Sequence, residues 1–232
     1  MKVLGVCLLA FVVAVQLRHS QINSVIKLIK KCFSHGGVTS ENPWVVHLRI
    51  AVSTSGYLRT CVGSLIDNRW VLTAASCMEN VRFVWIRYGA DNVINPELVT
   101  ETTIARTNGE IAIISINRAV GYTDNINAVA LPSIDDEVPA TGIVCGYGAD
   151  EDNNPGEQII CPEIVLEPFE DGNILGISED VTPTHHDIGA PLVSNGVQIG
   201  ILSIPIGRSH SAVFVNPAKY RDWIKEQIGV EL

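Results

Sequence analysis

Two imidazoles and a carboxylate follow one another at His185-His186-Asp187, a combination that can transfer protons or bind a metal ion. Neighbouring side chains of an extended segment point to opposite sides, so the two rings are not expected to meet at one reacting atom. No Cys, Asp or Glu cluster at metal-ligand spacing accompanies them apart from Asp187. The sequence favours histidines that fill space in their loop, with no metal and no cofactor. The alternative is that the two histidines act as a replacement general base or as metal ligands.

Two longer motifs surround chemically inert positions. The segment 184–193 reads THHDIGAPLV, in which Ile188 stands where a nucleophilic serine would be expected. The segment 70–77 reads WVLTAASC, with Ser76 in the place of a histidine. Both segments resemble motifs of the chymotrypsin/trypsin-like serine proteases, the first being the nucleophile loop and the second the histidine motif.

The resemblance continues in order along most of the chain after about residue 34. It rests on the segments 43–48, 61–66, 110–114, 128–133, 145–148, 201–203 and 220–224. Glu110 matches the position of the catalytic aspartate. The fold implied is all-β, with two antiparallel six-stranded barrels and a short C-terminal α-helix. The first barrel is expected over about 34–118, the second over about 128–215 and the helix over 217–228.

Short β-branched runs at 81–88, 111–116, 158–166 and 197–204, separated by Gly, Asn, Asp and Pro turns, are strand-like. Asn216 as N-cap, Pro217 at the first helical position and Gly229 after the last turn mark the helix.

Loss of the triad removes the chemistry that the family performs. Isoleucine at position 188 offers neither a proton nor a lone pair, and Ser76 has no basicity near neutral pH. Glu110 then has no imidazole to orient. His186 occupies the position of the usual oxyanion glycine. The chain is therefore predicted to be no enzyme, and a single reversion at Ile188 is expected not to restore hydrolysis.

The substrate pocket that the resemblance implies is also altered. Thr182 stands at the pocket floor, where trypsins carry an aspartate, so a Lys or Arg side chain would find no countercharge. The three wall residues become Ser203, Ile204 and Pro205, and proline lacks an N–H donor. A blocked cleft is expected.

Zymogen activation in the family frees an Ile-Val-Gly-Gly terminus whose ammonium pairs with the aspartate before the serine. The best match here is 34–37, SHGG, which follows Phe33, a residue that is not a tryptic cleavage site. Asp187 is thus expected to lack its family partner. The alternative is that Asp187 accepts hydrogen bonds from other donors such as backbone amides.

The six cysteines fit an oxidising compartment. The resemblance implies a Cys61–Cys77 bridge beside the histidine position and a second bridge between Cys145 and Cys161. Cys32 would then be unpaired and would permit a covalent dimer, unless it captures Cys161 instead.

The amino terminus has the form of a signal peptide, with Lys2 followed by an apolar run from Val3 to Val15. We expect a signal peptide over 1–14, ending at the latest near residue 20, a pro-segment over 15–33 and a protease-like domain over 34–232. The run is too short to span a membrane. A secreted, extracellular protein is predicted.

Composition supports a packed domain, since hydrophobic residues make up 47% of the chain and charged residues 18%. The formal net charge of −9 argues against nucleic-acid binding. Acidic clusters at 135–137, 150–152 and 179–180 could meet a basic partner, although such clusters are more often solvated loop tips.

The Ile86–Tyr88 strand and the 222–224 terminus, DWI, look similar to the group 3 allergen trypsins of mites. A dead triad in that setting resembles the scabies mite inactivated protease paralogues, a family that interferes with host complement. The resemblance implies a secreted binding protein that antagonises complement or another host defence pathway. The alternatives are a decoy or cofactor that binds protease inhibitors or active proteases, and a hydrolase that uses other residues.

Overall fold

The structure of the chain is a computed structural model that describes residues 38–52, 56–134, 136–178, 181–206 and 210–229. The expected signal peptide, pro-segment and SHGG segment, together with Cys32, lie outside these residues.

The first half of the chain forms a curled sheet of seven strands. They are β1 (Val45–Val52), β2 (Leu58–Asp67), β3 (Trp70–Ala74), β4 (Val81–Tyr88), β5 (Leu98–Thr102), β6 (Ala105–Asn108) and β7 (Ile111–Ser115). Their order across the sheet is β5-β4-β1-β2-β3-β7-β6. The two edge strands β5 and β6 follow each other in the chain with only Thr103 and Ile104 between them, so the sheet must curl until its edges approach.

Strand β4 shows why these residues form a sheet with one buried face. Val84, Ile86 and Tyr88 alternate along it and are buried in the first core, because successive side chains of a strand point to opposite faces. The residues between them, Trp85 and Arg87, lie on the outer face and are half-buried. Complete burial of the three inward side chains contributes about 1.5–3 kcal/mol each.

The second half forms a closed barrel of six strands. They are β8 (Thr141–Val144), β9 (Glu163–Pro168), β10 (Ile174–Ile177), β11 (Pro191–Ser194), β12 (Val197–Pro205) and β13 (Ser211–Val215). The order around the barrel is β10-β13-β12-β11-β8-β9, and β9 returns to β10. Closure leaves no unpaired edge strand.

The two sheets share their boundary. Val46 of β1 belongs to the first core, whereas its neighbour Val45 belongs to the second, so the start of this strand is apolar on both faces. The Ser64 hydroxyl donates to Oε1 of Gln198 across the boundary at 2.5 Å, and both side chains are fully buried. Such a buried polar pair stabilises one arrangement of the two halves because each group would be costly to leave unpaired.

Two helices flank the sheets. A short α1 (Val38–Glu41) precedes β1, and α2 (Arg221–Ile228) ends the described chain. Asn216 accepts a hydrogen bond from the amide of Ala218, which confirms the expected N-cap. Gly229 terminates α2 in the left-handed region at φ 70°, where glycine carries no steric penalty. Within the described residues, none of the helices is long and apolar enough to cross a membrane.

The expected all-β architecture with two barrel-like sheets and a C-terminal helix is confirmed, with three local differences. The first sheet has seven strands rather than six, because the chain bends at Thr103–Ile104 and divides one strand into β5 and β6. The strand expected over 158–166 begins only at Glu163, after Pro162, which lacks an N–H donor for a ladder. The helix expected over 217–228 starts with a 3₁₀ turn, Pro217–Tyr220.

Candidate functional site

The fold brings three of the predicted site positions together. Ser76 lies in the 3₁₀ turn Ala75–Met78 that follows β3, and Ile188 follows the 3₁₀ turn His185–Asp187. Ser76, Ile188 and His186 all line one cavity of about 170 Å³ between the two halves. The degenerate positions therefore share one cleft.

Glu110 does not line this cleft and contacts the turn of Ser76 through its backbone. Its carbonyl oxygen accepts a hydrogen bond from the amide of Ala75 at 2.9 Å, which fixes the turn containing Ser76. Its side chain is exposed. Among the described residues, no hydrogen bond joins the Ser76 hydroxyl to a carboxylate or an imidazole, so no base activates Ser76 in this geometry.

Arg59 occupies part of the same cleft and was not anticipated from the sequence. Its Nη1 donates to the carbonyl oxygens of Ser76 at 2.7 Å, Cys77 at 3.2 Å and Glu79 at 3.3 Å. A guanidinium that holds three carbonyls of one turn stabilises that turn in its present shape. The sequence carries no motif that would have identified this role.

Ile188 acts as a packing residue. It is half-buried and contacts both hydrophobic cores. Its carbonyl oxygen accepts a hydrogen bond from the amide of Val62 at 2.9 Å, which ties the loop to β2. A side chain with no polar atom, held between two cores, has a structural role and no chemical one.

The loop before Ile188 is closed by its own hydrogen bonds. The amide of His186 donates to Oγ1 of Thr184 at 3.2 Å, and the amide of Thr184 donates to Oδ2 of Asp187 at 2.9 Å. These two bonds form a capping box. The amide of His186, which the resemblance assigns to the oxyanion site, is therefore engaged inside the loop rather than directed at the cleft. The Thr-x-x-Asp spacing is a capping signature that the sequence could have revealed.

Asp187 accepts four hydrogen bonds although it is only 6% exposed. Its Oδ1 accepts from the backbone amides of Tyr147 at 2.9 Å and Gly148 at 2.8 Å. Its Oδ2 accepts from the amide of Thr184 at 2.9 Å and from the Thr184 hydroxyl at 2.8 Å. The alternative in which backbone amides serve Asp187 is therefore what the described residues show.

Glycine is required beside this carboxylate. A Cβ at Gly146 would meet Oδ1 and Cγ of Asp187 well inside van der Waals contact. The absent side chain lets the 146–148 backbone approach the carboxylate closely enough to donate two amides.

The expectation that His185 and His186 diverge is wrong. Their ring centroids lie 3.8 Å apart with planes tilted by 42°. The physical reason is the capping box, which winds the segment into a 3₁₀ turn instead of the extended backbone that the expectation assumed. Partial burial lowers the pKa of His185, with the neighbouring His186 adding to that effect and Asp187 opposing it.

His186 is buried and fills the space between loops, as the sequence favoured. Its Nε2 lies 3.1 Å from the carbonyl oxygen of Asn153, which requires a proton on Nε2 for a hydrogen bond. Asn153 adopts a left-handed conformation at φ 63°. Across the described ranges, no group of three or more His, Cys, Asp or Glu side chains is arranged to hold a metal ion.

The residues predicted to form a specificity pocket are distributed over two places. Thr182 is exposed, and its Oγ1 lies 3.1 Å from Nδ1 of His210. Together with Asp187 it lines a mostly apolar cavity of about 140 Å³. Ser203, Ile204 and Pro205 end strand β12, where a register shift leaves Ser203 without a partner on β13. Ile204 is 56% exposed, so this wall presents an apolar side chain to solvent.

Two disulfides brace these loops. Cys61 and Cys77 are bonded with their Cα atoms 6.2 Å apart, which ties β2 to the turn of Ser76. Cys145 and Cys161 are bonded with their Cα atoms 4.1 Å apart, so Cys161 is not available to Cys32 in this structure. Each bridge closes a loop of similar length, and the chain-entropy model assigns such a loop about 3 kcal/mol.

Comparison with known proteins agrees with this geometry. The family model described as Trypsin matches residues 34–224. Brachyurin from Leptuca pugilator is 32% identical over 73% of this chain and 88% of its own length, and Vaa serine proteinase homolog 1 from Vipera ammodytes ammodytes is 29% identical over 82% and 84%. The crystal structure of scabies mite inactivated protease paralogue S-D1 superposes with a TM-score of 0.71 at 19% identity, covering 82% of this chain and 94% of that one. The chain therefore belongs to the trypsin family.

Proposed function

We propose that this protein is a catalytically inactive, secreted member of the trypsin family that acts by binding other proteins. The observation that carries the proposal is the loop 184–188, in which isoleucine replaces the nucleophile and the amide of His186 donates to Thr184. A hydrolase needs a nucleophile, a base and an oxyanion site together. This cleft supplies a packed isoleucine, an exposed serine and an amide that is already bonded.

Two similarities support the proposal. The mite paralogue is named as an inactivated protease and the viper protein as a serine proteinase homolog. A stable scaffold without chemistry retains its loops and surfaces, and binding can reside there because site and fold vary separately.

The partner class we propose is a host defence protein, with complement components as the first candidates. The similarity of the Ile86–Tyr88 and 222–224 segments to mite trypsins supports this choice, as does the resemblance of a lost triad to the scabies mite paralogues. Secretion is part of the proposal and is supported by the two disulfides.

A serum pull-down tests the proposed function. The purified domain is immobilised and exposed to mammalian serum, beside a trypsin whose active serine has been blocked. We expect selective retention of complement recognition or regulatory proteins by this chain. Retention of serpins instead would favour the decoy alternative, and retention of nothing specific would contradict a host-directed role.

Catalytic inactivity is tested separately with a fluorophosphonate probe for activated serines. We expect no labelling of the native protein under conditions that label trypsin fully. Time-dependent labelling that ceases in a Ser76→Ala variant would overturn the proposal, because Ser76 lines the cleft and would then be an activated serine.

A further inference from the structure

The outer face of the first sheet carries two arginines that are not ion-paired with any described residue. Register places His47 of β1 opposite Arg87 of β4, and Arg49 of β1 opposite Trp85 of β4. Directly opposite residues share a face. The charged heads of Arg49 and Arg87 therefore meet the same groove, whose volume is about 760 Å³.

These two guanidinium groups oppose each other electrostatically. Burial first, and then the charge of Arg49, lowers the pKa of Arg87. His47 lies between them and is only 3% exposed; burial, Arg87 and Arg49 together lower its pKa to about 3. The neutral imidazole accepts at Nδ1 from Nη1 of Arg87 at 3.2 Å, so it orients one cation without balancing its charge.

The groove has little negative charge of its own. Glu157 lines its wall, but within the described residues it forms no ion pair with either arginine. The whole chain carries a formal net charge of −9. A cationic groove in an acidic protein is a local excess of positive charge. It attracts an anionic group, and binding of that group would stabilise the groove.

Apolar side chains flank the cations. Leu58 is 36% exposed, Ile94 65% and Val99 42%, and all three line the groove beside the arginines. Isolated exposed apolar residues are ordinary, but three around one cationic groove give it a mixed character. A peptide that alternates carboxylate and apolar side chains complements both features, whereas a sulfated glycan would complement only the charges.

We infer that the groove formed by His47, Arg49, Arg87, Leu58, Ile94 and Val99 binds an acidic, partly apolar peptide segment of a partner protein. Carboxylates of the segment pair with the two guanidinium groups, and its apolar side chains cover Leu58, Ile94 and Val99. This inference rests on the proposed function in taking the chain to be a protein-binding protein, and it adds the surface and the chemistry of the partner.

A fluorescence-anisotropy titration with a labelled octapeptide of alternating glutamate and leucine tests the groove. We expect saturable binding that weakens with added NaCl and is lost when glutamine replaces glutamate. Arg49→Gln and Arg87→Gln should each raise Kd about tenfold or more, because each removes a charge-assisted hydrogen bond. Glutamine at position 87 keeps a donor for His47, which preserves the local structure.

Arg118→Gln is the matched control, because this substitution removes the same charge from an exposed arginine that does not line the groove. Equal weakening by Arg118→Gln and Arg49→Gln would show a general charge effect and overturn the inference. Failure of the native protein to bind the peptide, or tighter binding of a sulfated oligosaccharide, would overturn it as well. Dimerisation that Arg49→Gln abolishes would assign the groove to a second copy of the chain and contradict a foreign partner.

The same variants separate this inference from the proposed function. If the Arg49→Gln/Arg87→Gln protein retains the same serum proteins as the native chain, the groove is not the binding surface and the proposed function stands. If the native chain binds the acidic peptide but retains no serum protein, the groove inference stands and the host-directed function fails.

Discussion

At the scale of the residue, Ile188 shows how a position expected to carry a nucleophile is used for packing. Ile188 contacts both cores, and its backbone is tied to Val62 of β2. The neighbouring amide of His186 is bonded to Thr184. Restoring the three triad side chains would return the reacting groups without returning the oxyanion donor.

We therefore predict that the triple variant Ser76→His/Glu110→Asp/Ile188→Ser remains at least about a hundredfold slower than an active trypsin, because loss of one oxyanion donor alone costs a factor of 10²–10³. Hydrolysis of a nitrophenyl ester measures the rate, with the native chain as the background. Rates that approach those of trypsin would show that the loop opens readily.

His47 is a second residue whose surroundings predict a measurable effect. Burial and two arginines lower its pKa from 6.5 to about 3 in the folded chain. Between pH 3 and pH 6.5 the unfolded chain binds a proton at His47 that the folded chain does not bind. The contribution of His47 to stability is therefore fully present above pH 6.5 and is lost as the pH falls towards 3.

We predict that the free energy of unfolding falls by about 2 kcal/mol from this group alone between pH 7 and pH 5. Urea titrations at several pH values measure the slope, and His47→Gln should flatten it. The control is His210→Gln, which changes an exposed histidine remote from the groove and should leave the slope nearly intact. An unchanged slope in His47→Gln would contradict the assignment of this acid sensitivity to His47.

At the scale of the element, the 3₁₀ turn His185–Asp187 is held by one buried carboxylate. Asp187 accepts from the amides of Tyr147 and Gly148 on one side and from Thr184 on the other. It thereby joins the turn to the 146–148 backbone, and both loops depend on it.

Asp187→Ala should lower the free energy of unfolding by roughly 3 kcal/mol or more, because it leaves buried backbone donors unpaired. Chemical denaturation with intact disulfides provides the measurement. Asp152→Ala, which removes an exposed carboxylate from a nearby loop, serves as the control and should change little. Equal effects of the two substitutions would indicate that the hydrogen bonds of Asp187 add no stability.

At the scale of the whole molecule, the two sheets form one structural unit. Ile188 packs on both cores, β1 begins with one valine in each core, and Ser64 bonds to Gln198 across the boundary. Exposing this boundary would uncover apolar side chains of both halves, so neither half is expected to persist when the other unfolds.

We predict a single cooperative unfolding transition. Trp70 and Trp223 pack against the first core and Trp44 packs against both, so tryptophan fluorescence reports mainly on the first half, whereas far-UV circular dichroism reports on both sheets. The two curves should coincide. Fluorescence that changes before circular dichroism would show that the first sheet unfolds alone and would contradict the shared boundary.

Much of this molecule is readable from its sequence. Alternating apolar residues and turn signals predict an all-β chain, and Asn216, Pro217 and Gly229 predict where the last helix begins and ends, because caps depend on local backbone chemistry. The chemical inertness of Ile188 is equally local, since no neighbouring group can give isoleucine a reactive atom.

Other features arise only when distant segments meet. Three such features depend on how the loops are placed after folding. They are the three carbonyls bound by Arg59, the four hydrogen bonds accepted by Asp187, and the adjacent rings of His185 and His186. The two arginines of the groove also depend on tertiary structure, because Arg49 and Arg87 are separated along the chain and converge only through the register of β1 with β4. The sequence by itself determined the fold class and the presence of an inert isoleucine at position 188, because both follow from residue types and local pattern. Only the tertiary structure decided which amides serve Asp187 and which cations share a groove, because those contacts depend on strand register and loop closure.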